Sequence, residues 1–161
     1  MHSTIYQIDI KPIAETDILR LDNIVAGEMA SISYVSENNE DGRLFDIKCL
    51  VEHILPKGMF TLSVKDTLTY NGGFNMWKKA HFDHIKELSS KLTPANVMKW
   101  SGPIGQLKKA ISNPLGTSAL FVTDFYGGGE TAECSADLMD MVSGLKKGDK
   151  LYLGAILGYH N

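Results

Sequence analysis

The chain has 161 residues, 43% of them hydrophobic and 22% charged, with a formal net charge of −3. These are the values of one ordinary globular domain over residues 1–161, able to bury about 70% of its unfolded surface without disulfide or metal staples. They speak against global disorder, and no apolar run approaches the ~18 residues of a membrane span.

Residues 4–10 alternate Tyr6, Ile8 and Ile10 with Gln7 and Asp9, the pattern of a half-buried strand and not of a signal peptide. Residues 16–24 read as a short helix capped by Thr16, and residues 29–36 alternate again as a strand. A polar cluster at 37–42 then reads as a turn. Residues 43–53 fit two periods. Phe45, Ile47, Cys49 and Val51 alternate as in a strand, while Leu44, Ile47, Val51 and Ile54 make a helical stripe. The preceding Asp-Gly favours a hairpin, so a strand is expected. Residues 59–70 continue the pattern, with Phe60, Leu62 and Val64 on one face.

The period changes after Asn71, Gly72 and Gly73, and residues 74–92 form the strongest helical segment of the chain. Thr93 and Pro94 carry the cap and first-turn signature of a further short helix, and residues 104–112 read as another. A strand at 118–126, three glycines at 127–129, a helix ending near Lys147, and a last strand at 151–159 complete the order. The expected fold is α+β. Its sheet is mixed and mostly antiparallel, with an N-terminal meander, a central helical block covering one face, and a C-terminal β-α-β segment.

Charge is unevenly placed. Residues 1–60 carry a net −5, residues 61–116 a net +5, and residues 117–161 a net −3. Such a basic centre serves internal complementarity or draws an anionic partner. Cys49 and Cys134 form no CxxC pair, so a reducing, cytoplasmic setting is the simplest expectation.

Three groups of residues carry candidate chemistry. The first is the glycine turn, where Asp124, Gly127, Gly128, Gly129 and Glu130 form a candidate ligand-binding junction between strand and helix. It lacks both GxGxxG and GxxxxGK[ST], and Glu130, Glu133 and Asp137 would repel a phosphate. A tight turn or a cation-tolerant pocket remains. The second is a histidine pair. At roughly 100° per residue, Trp77, His81, His84 and Leu88 share one narrow arc, so His81 and His84 stand in an apolar stripe. They could ligate a metal jointly, with a third ligand from His53, Asp124 or Cys134, or act with a carboxylate as general base. The third is a basic-aromatic surface of Lys78, Lys79, Phe82, Lys108 and Lys109, beside Lys99 and Trp100. No arginine follows Arg43, which weakens a nucleic-acid reading.

No enzyme motif is present and no cofactor is expected, a divalent metal being the alternative. The sequence therefore points first to a small acidic cytoplasmic protein–protein interaction module, such as an inhibitor or neutraliser of another protein. The alternatives are a metal-dependent or His-carboxylate enzyme built on His81 and His84, and a polyanion binder using the central lysines.

Overall fold

The computed structural model of the chain describes residues 2–21, 34–37, 39–123 and 135–160. Its centre is a long C-terminal strand, β6 (Lys150–His160). Between Leu151 and Tyr159 this strand has no exposed residue, because Leu151, Leu153, Ala155, Ile156, Leu157 and Tyr159 are all buried. A near-continuous apolar run of that kind suits a strand covered on both faces.

The first strand, β1 (His2–Asp9), runs antiparallel to β6 along one edge. On the other edge β6 pairs near its start with β4 (Thr67–Tyr70) and near its end with β2 (Tyr34–Glu37), both antiparallel. Strand β3 (Phe60–Leu62) forms a hairpin with β4. Strand β5 (Leu120–Val122) adds parallel to β1 at the far side. The path is β3-β4-β6-β1-β5, so the sheet is mixed and mostly antiparallel, as the sequence implied.

Helices pack on one face of this sheet. Helix α1 (Glu40–Cys49) and the π turn that follows it at Leu50–Ile54 deliver Ile47 and Leu50 to the larger core. Helix α4 (Ser135–Ser143) delivers Leu138, Met139, Met141 and Val142. Helix α2 (Phe74–Ser90) contributes Phe74 and Trp77 from its first turns. Helix α3 (Pro103–Ser112) contributes no fully buried residue. On the opposite face a smaller cluster of Ile5, Val122, Ala155, Leu157 and Tyr159 is covered by Ile18 and Leu19.

A β-bulge organises the middle of the sheet. Tyr6 pairs with Ile156 and Ile8 with Leu153, so Gln7 alone faces Gly154 and Ala155. The extra residue reverses the alternation of β6. Leu151 and Leu153 point into the larger core, but beyond the bulge Ile156 takes that side, while Ala155, Leu157 and Tyr159 turn to the smaller cluster.

Arg43 holds α1 against this bulge. Its Nη2 donates to the Gly154 carbonyl at 2.8 Å, and its Nε donates to Asp66 Oδ1 at 3.2 Å. Asp66 sits at φ 59° in the β3–β4 turn. Replacing Arg43 with Met keeps much of the stem but removes both bonds. Chemical denaturation should show a loss of about 1–2 kcal/mol, and a change within about 0.5 kcal/mol would mean the guanidinium is not a structural tie.

Five local expectations are corrected. Over its described part the helix expected at 16–24 is only the single 3-10 turn Glu15–Asp17, with Thr16 inside it and no side-chain cap bond, because the chain turns extended at Ile18. Residues 43–53 are helical and not a strand. Asn39 Oδ1 accepts the Gly42 N–H at 2.8 Å, which makes the polar cluster at 37–42 a helix start with Glu40 and Asp41 in the first turn. The N-terminal meander narrows to the β3–β4 hairpin, because β1 and β2 each pair with β6 and not with each other. Leu62 and Val64 do not share the buried face of Phe60, since β3 is an edge strand that ends at Leu62. Residues 94–100 form turns instead of a helix. Asn96 spends its side chain on the Thr93 N–H and the Lys91 carbonyl, and the one helical bond, Val97 N–H to the Thr93 carbonyl, is not continued. The start of α2 follows the expected line, with Gly73 at φ 99°, a backbone region that L side chains rarely adopt, immediately before Phe74.

Candidate functional site

The residues flagged by chemistry converge on helices α2 and α3, with one exception. Asp124, Gly127, Gly128, Gly129 and Glu130, together with Glu133 and Cys134, lie outside the described residues.

The α2–α3 pair encloses a groove of about 350 Å³. His81, His84 and Leu88 line it from α2, Gln106 and Lys109 from α3, and Leu115 from the loop that follows. The helical arc read from the sequence is real. Trp77 and His81 stack with ring centroids 5.2 Å apart and planes 4° from parallel, and Leu88 is buried one turn beyond His84. The histidines themselves are cleft residues rather than core residues. His81 is half-buried and His84 is exposed, and neither imidazole hydrogen-bonds to a described residue.

Burial pushes the His81 imidazole below its ordinary range, and the neighbouring His84 adds to the shift. Both effects favour the neutral imidazole over the imidazolium. Among the described residues no carboxylate lines the groove. Two acids of α2 are paired with lysines of the same helix, Asp83 with Lys79 at 3.2 Å and Glu87 with Lys91 at 2.8 Å. The Lys91 hydrogen bond and charge hold Glu87 below the usual carboxylate range.

As metal ligands, His81 and His84 supply two nitrogens. Among the described residues no group of three His, Cys, Asp or Glu could hold an ion. Of the expected third ligands, His53 lies in the π turn beside Glu52, and Asp124 and Cys134 fall outside the described residues. The other cysteine, Cys49, has its thiol raised by burial and then by Asp46 and Glu52, so it stays protonated at neutral pH.

The outer side of α2 continues the site. Lys78, Lys79, Phe82 and Ile85 line a second depression of about 500 Å³, and His81 borders both depressions. Phe82 is 59% exposed, with Lys86 Nζ 5.5 Å from its ring centre. Trp100 is 70% exposed, with Lys108 Nζ 4.9 Å from its ring centre. The predicted lysines thus divide. Lys78 and Lys79 stand on the Phe82 side, Lys109 stands in the groove, and Lys108 covers Trp100. Sequence reasoning did not connect Lys109 and Gln106 with the histidines, since only the packing of α3 on α2 brings them together.

The floor of the groove is tied to the body of the protein by one buried serine. Ser135 Oγ accepts the Leu115 N–H at 3.0 Å and donates to Asn113 Oδ1 at 2.6 Å. Asn113 in turn donates to the Thr117 carbonyl at 2.6 Å. Two other depressions, of about 420 and 650 Å³, open beside Gln7 and beside Gly144. In the first, the Gln7 amide is spent on three backbone groups, so it offers little to a ligand.

No helix among the described residues is long and apolar enough to cross a membrane. No family model matches the chain, and neither the curated proteins nor the solved structures contain a match.

Proposed function

We propose that the chain is a protein–protein interaction module whose partner surface is formed by α2, α3 and the turns that join them. The supporting observation is the placement of exposed large apolar side chains. Among the described residues, Met76, Phe82, Val97, Met98, Trp100 and Ile111 are exposed within the single stretch 74–112. Exposed single apolar residues are ordinary, but a concentration that includes two aromatics flanked by lysines is the composition of an interface. The same stretch buries few side chains of its own, only Leu88 fully in α2 and none in α3. An inhibitor or neutraliser acts by such occupancy and needs no catalytic group. A cytoplasmic setting suits the free Cys49 thiol.

The test is a double variant, Phe82→Glu with Trp100→Glu, used beside the native chain in affinity capture from the source organism. The native chain should recover one dominant protein. The variant should lose it by tenfold or more, roughly the cost of removing a hot-spot aromatic. Because both side chains are exposed, the melting temperature should barely move. Recovery of the same protein by the variant in undiminished amount would remove this reading.

A further inference from the structure

The α2–α3 groove has a charge character that specifies what kind of segment fits it. We infer that it seats a carboxylate of an acidic, amphipathic segment of the partner protein, whose apolar side chains lie across the Phe82 side of α2. This rests on the interaction-module reading and names the chemistry of the partner.

Three observations carry it. Residues 61–116 hold eight lysines against Asp66, Asp83 and Glu87, a local net of +5 in a chain of net −3. Within that block the groove presents Lys109, His81 and His84 with no lining carboxylate among the described residues, while Asp83 and Glu87 are already paired with lysines. His81 borders both the groove and the Phe82 depression, so one bound segment can place a carboxylate in the first and an apolar side chain in the second. Potential complementarity of this kind sets partner choice and the rate of encounter. A nucleic acid fits less well, because the block has no arginine and the whole chain is acidic.

The groove also makes binding depend on pH. His84 and Lys109 share the groove with His81, Lys78 and Lys79 share its other depression, and of the acids on α2 Glu87 acts on His84 while Asp83 pairs with Lys79. In the free protein burial and His84 disfavour the imidazolium of His81. A bound carboxylate supplies the missing counter-charge and favours it. Binding therefore takes up a proton, and affinity rises as pH falls from about 7.5 to about 5.5, above the range where the carboxylate itself is protonated.

The experiment titrates the full-length, isotope-labelled chain with a short synthetic amphipathic helix of glutamate and leucine, and with its glutamine counterpart. The glutamate peptide should shift the amides around His81, Phe82 and Lys109. It should bind about tenfold tighter than the glutamine peptide and gain several-fold more affinity at pH near 5.5. Lys109→Glu, an exposed change, should cost about tenfold, and His81→Gln should flatten the pH dependence. Equal binding of the two peptides, no binding, or shifts confined to other faces would each overturn the inference. So would self-association of the chain through the same residues, or displacement of the peptide by oligouridine at equal concentration. If Phe82→Glu with Trp100→Glu abolishes partner capture but Lys109→Glu and pH leave it unchanged, the interaction module stands and the acidic segment falls.

Discussion

Gly154→Ala should destabilise the protein by about 2–4 kcal/mol, a large effect for a substitution outside the apolar core. A Cβ at this position would overlap Gln7 Oε1 and come within 2.7 Å of Gln7 Cδ and 2.9 Å of Ile13 Cδ1. A surface glutamine would simply rotate away. Gln7 is held, because its Oε1 accepts both the Leu19 and Ala155 N–H groups at 3.0 Å and its Nε2 donates to the Asp17 carbonyl at 2.7 Å. Moving it strands two backbone donors around the bulge that sets the two faces of β6. Denaturant unfolding of a double-mutant cycle separates the causes. Gln7→Ala alone should be destabilising, but in that background Gly154→Ala should cost markedly less, leaving only the Ile13 contact. Additive losses would show that the clash lies elsewhere.

The second large effect is expected at Ser135, where Ala should cost about 2 kcal/mol and also weaken partner capture. Ser135 has no solvent exposure, and its hydroxyl serves the Leu115 N–H and Asn113 Oδ1 at once. Alanine removes both partners and adds nothing in their place. The Leu115 N–H and the Asn113 side chain belong to the loop that closes the α2–α3 groove, so the loss is transmitted to the surface. This distinguishes Ser135 from Phe82 and Trp100, whose replacement should spare stability and remove binding. Thermal unfolding and capture measured on the same preparations decide it. A Ser135→Ala protein with native stability and native capture would mean that the loop is held by other contacts.

Much of the helical block was legible in the sequence because its signals are local. Gly72 and Gly73 before Phe74, and Pro103 at the first turn of α3, are stop and start residues whose meaning lies within a few positions. The Trp77–His81–His84–Leu88 arc follows from helical geometry alone. Residues 43–53 were ambiguous because both periods fitted. The deciding group was Asn39, whose side chain caps α1, and it stands in a cluster that also reads as a turn. Residues 94–100 close one turn, Val97 N–H to the Thr93 carbonyl, that does not propagate, and a single turn fixes several dihedrals for one bond.

From its residues alone the chain settles its α+β class, the place of α2 and α3, the presence of a last strand, and the basic centre between acidic flanks. These depend on propensity, capping and counting, which are properties of neighbouring residues. Strand order is different. That β6 lies between β1 and the β4 and β2 strands, and that a bulge at Gly154 reverses its faces, depends on burying two apolar surfaces at once. The groove is of the same kind. Lys109 lies 25 positions after His84 in the sequence, and only the packing of α3 on α2 turns a histidine pair and a distant lysine into one cleft.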